Sequence, residues 1–80
     1  MESIAIDFLK EFTGGNTDCN INYRIVEGGS FIESIPFSEA VKRFLKDYEE
    51  TKEMFREYGI EEKAYEATAR IWYKHIVAFH

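Results

Sequence analysis

One cysteine and one proline in 80 residues leave this chain little covalent or conformational bracing. The lone Cys19 excludes an internal disulfide and suits a reducing compartment, so the protein is expected to be cytoplasmic. No apolar run approaches the ~18 residues that a membrane-spanning helix requires. The N-terminus shows no basic segment followed by an apolar one, so no signal peptide is expected. Histidine is scarce too. His75 and His80 fall on different helical faces, and with a single cysteine they compose no zinc site, so no metal or cofactor is expected. Dinucleotide-binding, HExxH, nucleophile-elbow and kinase-type motifs are all missing. The loop from Gly14 to Asn20 has neither the Lys-Ser/Thr ending of a phosphate loop nor the acid spacing of a calcium loop, and reads as a plain connector. Nothing in the sequence brings Cys19 to His75 as nucleophile and base, so the chain is not expected to be an enzyme. A formed pocket around His75 or Tyr23 would supply that reading with a site.

Positive charge is also in deficit: 10 bases against 15 acids give a net charge of −5. That balance disfavours nonspecific nucleic-acid binding, which depends on Lys and Arg neutralising phosphates. It permits the converse, an acidic domain docked on a basic surface.

What is present favours a folded core. The chain is 45% hydrophobic and 16% aromatic, too rich for a disordered segment. Its length fits a single α+β domain over residues 1–80, small enough that each core aromatic matters. The expected architecture is α-β-β-α-α, a two-stranded antiparallel hairpin and a short N-terminal helix packed on a long antiparallel helix pair.

The central element is a helix from Ser38, read as its N-cap, to about Tyr58. Val41, Phe44, Leu45, Tyr48, Phe55 and Tyr58 recur at helical spacing along one side, with the Lys52 stem inside the stripe. Pro36 holds the preceding chain extended, and Gly59 supplies a left-handed stop. A first helix spans residues 3–12, capped by Ser3 and stopped by Gly14, with Ile4, Ala5, Phe8, Leu9 and Phe12 on one side. Asn20–Glu27 and Ser30–Phe37 read as strands joined by a tight Gly28-Gly29 turn. That register sets Arg24 opposite Glu33, Ile25 opposite Ile32, Ile21 near Pro36 and Val26 opposite Phe31. It turns Ile21, Tyr23, Ile25 and Ile32 to the helices, leaving Val26, Phe31 and Ile35 partly exposed. A third helix over residues 61–79 presents Tyr65, Thr68, Ala69, Trp72, His75, Ile76 and Phe79 inward, with Tyr73 and Val77 exposed. His75 reads as a core histidine satisfied locally.

The outward face of the central helix is ordered by sign. Lys42, Arg43 and Lys46 precede Glu50, Glu53 and Glu57, the reverse of what the helix dipole favours. Between Asp47 and Glu62 lie seven acids and two bases, a net of −5 equal to that of the whole chain. Glu49–Glu53 and Glu53–Glu57 add like-charge i,i+4 repulsion of ~0.2–0.5 kcal/mol each. A layout that local stability opposes is a hint of a partner-facing acidic patch, set against a solvated face that only keeps the protein soluble.

The expected function is therefore a protein–protein interaction module, an inhibitor or regulator whose acidic helix docks on a basic, nucleic-acid-binding surface of a protein partner. The expected contact residues are Asp47, Glu49, Glu50, Glu53, Glu57, Glu61 and Glu62. Small acidic phage and mobile-element proteins, anti-CRISPR and anti-restriction proteins among them, share this profile of size and charge, though not of motif. The alternative is a small dimeric regulator that approaches nucleic acid with Lys42, Arg43 and Lys46. Homodimerisation through an open hairpin edge is compatible with either.

Overall fold

The computed structural model describes residues 2–25 and 31–79 and shows the expected α+β fold. Helix α1 (Glu2–Thr13) is followed by strands β1 (Asn20–Ile25) and β2 (Phe31–Pro36) and then by the long helix α2 (Phe37–Arg56). A 3-10 turn (Glu61–Lys63) leads into helix α3 (Ala64–His75), and a short strand β3 (Ile76–Phe79) follows. The sheet has the order β2-β1-β3, both pairings antiparallel. The three helices lie on one face of it, and α2 packs against both α1 and α3.

The helix ends follow sequence chemistry. Gly14 and Gly59 take positive φ (66° and 71°), the conformation that terminates helices without a Cβ penalty. The Gly15 amide donates to the Lys10 carbonyl, and the Ile60 amide to the Phe55 carbonyl (both 3.1 Å), closing orphan carbonyls in Schellman fashion. A Cβ on Gly59 would meet no atom within 4 Å, so substitution there tests backbone strain alone. Gly59→Ala is expected to cost about 1–2 kcal/mol, the penalty of a left-handed L-residue, measurable by urea unfolding.

The start of α2 differs from expectation. It begins at Phe37 rather than at a Ser38 cap, with Pro36 (φ −61°, ψ 152°) at the capping position and no side-chain cap bond. The Phe37 amide instead donates to the Cys19 carbonyl (2.9 Å), so the strand ladder itself satisfies the first orphan N–H of the helix. At the other end the helix stops at Arg56, and Tyr58 is 74% exposed rather than part of the apolar stripe. α1 likewise starts at Glu2, which places Ser3 inside it rather than at its cap.

The hairpin register is one residue from the expected one. Ile21 pairs with Ile35, Tyr23 with Glu33, and Arg24 with Ile32. Because strand side chains alternate, that single step reverses which β2 residues face the helices. Ile35 is 3% exposed and sits in the core, while Ile32 is 53% exposed. Glu33 thereby turns from Arg24 toward α2, where it accepts two hydrogen bonds from Arg43 (3.2 and 3.3 Å). The Gly28-Gly29 turn and Val26 lie outside the described residues.

The third helix is shorter than expected. It ends at His75, and residues 76–79, expected to be helical, extend as β3 along β1. Antiparallel pairing satisfies backbone groups of β1 that the hairpin alone would leave open. Of the two edges expected to be free for a partner, β3 covers that of β1, and among the described residues no strand pairs with that of β2.

The core joins all the layers. Ala5, Phe8 and Leu9 of α1, Ile21 and Ile35 of the sheet, Phe37, Ala40, Val41 and Phe44 of α2, and Ala69 and Trp72 of α3 form one buried cluster. An aromatic series runs through it. Phe8 stacks on Phe44 (4.7 Å), Phe44 meets Trp72 edge-on (5.4 Å), and Trp72 meets Tyr23 (4.9 Å).

Candidate functional site

The core divides α2 in two. All its fully buried positions, Phe37, Ala40, Val41 and Phe44, lie in the first half. Leu45 and Tyr48 are partly buried, and no residue of α2 beyond Phe44 is fully buried. Twenty residues at ~1.5 Å each make α2 roughly 30 Å long. The molecule is accordingly a slab of 38 × 31 × 16 Å, and the acidic half of α2 lies past the main core.

Glu49, Glu50 and Glu53 are exposed on that half, Glu57 is exposed at its C-cap, and Glu62 is exposed just beyond the Gly59 link. Glu50, Glu53 and Glu57 share a face by their i, i+3, i+7 spacing. The two bases of the stretch are both engaged. Lys52 is 3.8 Å from Glu49, with its ammonium 5.1 Å from the centre of the Tyr48 ring, and its side chain is only 20% exposed. Arg56 reaches Glu53 (3.7 Å) and donates to Glu61 (3.1 Å). The hydrogen bond from Arg56 holds the Glu61 carboxyl below its usual range. Glu50, Glu57 and Glu62 carry no ion pair among the described residues. Asp47 departs from this row. It is half-buried and accepts a hydrogen bond from the Trp72 indole Nε1 (2.8 Å).

The basic trio at the start of α2 is not one cluster. Arg43 is held by both Glu33 oxygens and lies 3.8 Å from Glu39, and the hydrogen bond to Glu33 raises its pKa. Lys42 and Lys46 stay exposed without an ion pair among the described residues.

Beside the acidic row lies a cleft of about 260 Å³ between β1, α2 and α3 that sequence reasoning had not assembled. Tyr23 and His75 provide aromatic surface with the buried Trp72 behind them, and Asp47, Glu50 and Thr51 of α2 also line it. His75 stacks on Tyr23 (5.1 Å between ring centres, 22° between planes), and its Nδ1 lies 2.9 Å from the Arg24 carbonyl. A carbonyl only accepts, so Nδ1 is the protonated nitrogen. His75 is thus satisfied locally, as expected, though half-buried rather than deep in the core. Burial, with the Asp47 charge second, pushes the Tyr23 phenol pKa up. Thr68, at the floor, donates its hydroxyl to the Ala64 carbonyl (2.9 Å). The cleft is thus formed around both Tyr23 and His75, with the Asp47 and Glu50 carboxylates on its α2 side. The i,i+3 spacing of Trp72 and His75 was a sequence signal for part of this cleft. The Trp72–Asp47 contact across 25 residues had none.

The loop between α1 and β1 is closed by its own hydrogen bonds. The Thr13 hydroxyl donates to the Asn16 carbonyl (2.6 Å), and the Asp18 amide to the Asn16 side chain (2.8 Å). Among the described residues, no His, Cys, Asp and Glu group is arranged to hold a metal ion, and no helix is long and apolar enough to cross a membrane. The chain is thus a small α+β domain with an acidic helix half and an adjoining aromatic cleft. No family model matches it, and neither a curated protein nor a solved structure does.

Proposed function

We propose that this domain is a protein–protein interaction module that sets the acidic second half of α2 against a basic surface of a protein partner. The observation that supports the reading most is the placement of the charge. The stretch carrying the whole net charge of −5 lies where α2 passes the main core, with Glu50, Glu53 and Glu57 exposed on one face. Such a face steers a cationic partner and adds little to the stability of the fold. An inhibitor that covers a nucleic-acid-binding surface, as phage anti-CRISPR and other anti-defence proteins do, is the setting that this size and charge fit. Recognition of nucleic acid by Lys42, Arg43 and Lys46 has less in its favour, since Arg43 is committed to Glu33 and Glu39.

The test is capture of partners from nuclease-treated host lysate by the wild type and by the triple variant Glu50→Lys, Glu53→Lys, Glu57→Lys. The reversal is expected to weaken capture by roughly tenfold or more, and added salt should weaken wild-type capture in parallel. The far-UV spectrum should not change, because all three side chains are exposed. Retention of the same proteins by both forms would overturn the proposal.

A further inference from the structure

The cleft adjoins the acidic row and shares Glu50 with it. Its volume of about 260 Å³ is just under the ~300 Å³ at which pockets for small molecules begin, a size for one side chain rather than for a metabolite. Its chemistry is one-sided. Tyr23 and His75 offer aromatic surface in front of the buried Trp72, Asp47 and Glu50 offer carboxylates, and neither lysine nor arginine lines it. Arg43, whose charge acts on Tyr23, is already held by Glu33 and Glu39. One Asp47 oxygen accepts from the Trp72 indole, and a carboxylate with about four acceptor sites keeps others. The more open groove of about 580 Å³ along α2 and α3 has the opposite character, with Lys63, Arg70 and Lys74 among its lining.

Resting on the reading of α2 as a partner-binding face, we propose that this cleft is the anchor pocket for one arginine side chain of the partner. A planar guanidinium stacks on aromatic faces while donating in a fixed fork to carboxylates, and it is more weakly hydrated than an ammonium. Aromatic walls beside two carboxylates match both properties. A lysine would satisfy the charge but not the stacking. The exposed row of Glu53 and Glu57 then steers the partner, and the cleft fixes the register of docking.

The chain has a single tryptophan, so the Trp72 indole N–H, bonded to the lining Asp47, gives one isolated resonance at the buried wall of the cleft. The probe is the blocked tripeptide acetyl-Gly-Arg-Gly-amide, titrated beside its lysine and citrulline counterparts. The arginine peptide is expected to shift the indole signal saturably. Citrulline, neutral but of the same shape, should bind about fivefold or more weakly, and lysine should fall between them. Glu50→Gln should weaken the arginine peptide by about threefold or more while leaving the fold alone. Thr51→Phe, which fills the cleft without changing any charge, should abolish the shift. A shift that does not saturate, equal effects of arginine and citrulline, or a response that survives both variants would each overturn the inference. Failure here with capture still lost on charge reversal would leave the acidic face standing without its anchor. A specific arginine response with capture unaffected by reversal would do the converse.

Discussion

Trp72→Ala is expected to lower stability by about 3–5 kcal/mol, the usual cost of deleting a fully buried aromatic side chain. At roughly 0.05–0.15 kcal/mol per residue, a domain of 80 residues has about 4–12 kcal/mol in all, so the variant should lose a large share of its stability and unfold at a much lower urea midpoint. The expectation rests on where Trp72 sits. It has no exposed surface, meets Phe44 and Tyr23 on two sides, and donates its indole N–H to Asp47. Its loss removes the contact that joins α3 to both the sheet and the middle of α2. Trp72→Phe separates packing from the hydrogen bond. Most of the ring is kept and Asp47 is only half-buried, so the cost should fall to about 1–2 kcal/mol. Urea unfolding followed by far-UV circular dichroism reads both variants. A Trp72→Ala protein that unfolds at the wild-type midpoint would show that the aromatic series does not organise the core.

Phe8→Ala should cost a similar ~3–5 kcal/mol, but with a different signature. Phe8 is 1% exposed, stacks on Phe44, and meets Phe12 and Tyr73 edge-on at 5.2 and 5.4 Å. A helix of 12 residues is marginal without such packing. Undocking of α1 should therefore precede global unfolding, and amides of residues 5–13 should exchange hydrogen well ahead of those in α2. Uniform loss of protection across α1, α2 and the sheet would show instead that the three unfold as one unit. Tyr73 contributes to this seam although it is 54% exposed. Its ring packs on Phe8 and Phe12, and its hydroxyl donates to Glu11, which raises its pKa.

The α1 stripe shows what local pattern can specify. Ala5, Phe8 and Leu9 are buried where their spacing placed them, and Gly14 ends the helix. The first half of α2 is equally legible, because Val41 and Phe44 recur at helical spacing and both reach the core. Tyr58 fits the same periodicity but lies past the end of α2 and is 74% exposed, so periodicity alone carried the stripe further than the packing does. The acidic row was readable for the same reason as the core stripe. Side chains of one helix share a face by spacing, whatever their chemistry.

Other features depended on pairs far apart in the chain. A one-residue step in strand pairing preserves both strands and yet exchanges Ile32 for Ile35 in the core. Nothing within either strand decides that step. The Phe37 amide on the Cys19 carbonyl and Arg43 on Glu33 accompany it, and both contacts reach outside the hairpin's facing pairs. Residues 76–79 continue an apolar pattern that suits helix or strand, and pairing with β1 gives them backbone partners as a strand.

The sequence by itself determined the fold class, the three helices, their glycine stops and the single acidic face, because each arises from interactions within a few residues of chain. Only the tertiary structure decided the strand register, the third strand and the cleft of Tyr23, Trp72, His75, Asp47 and Glu50. Those depend on backbone ladders and side-chain contacts between segments that meet only once the core has formed, and the energy of such contacts leaves no local periodicity to read.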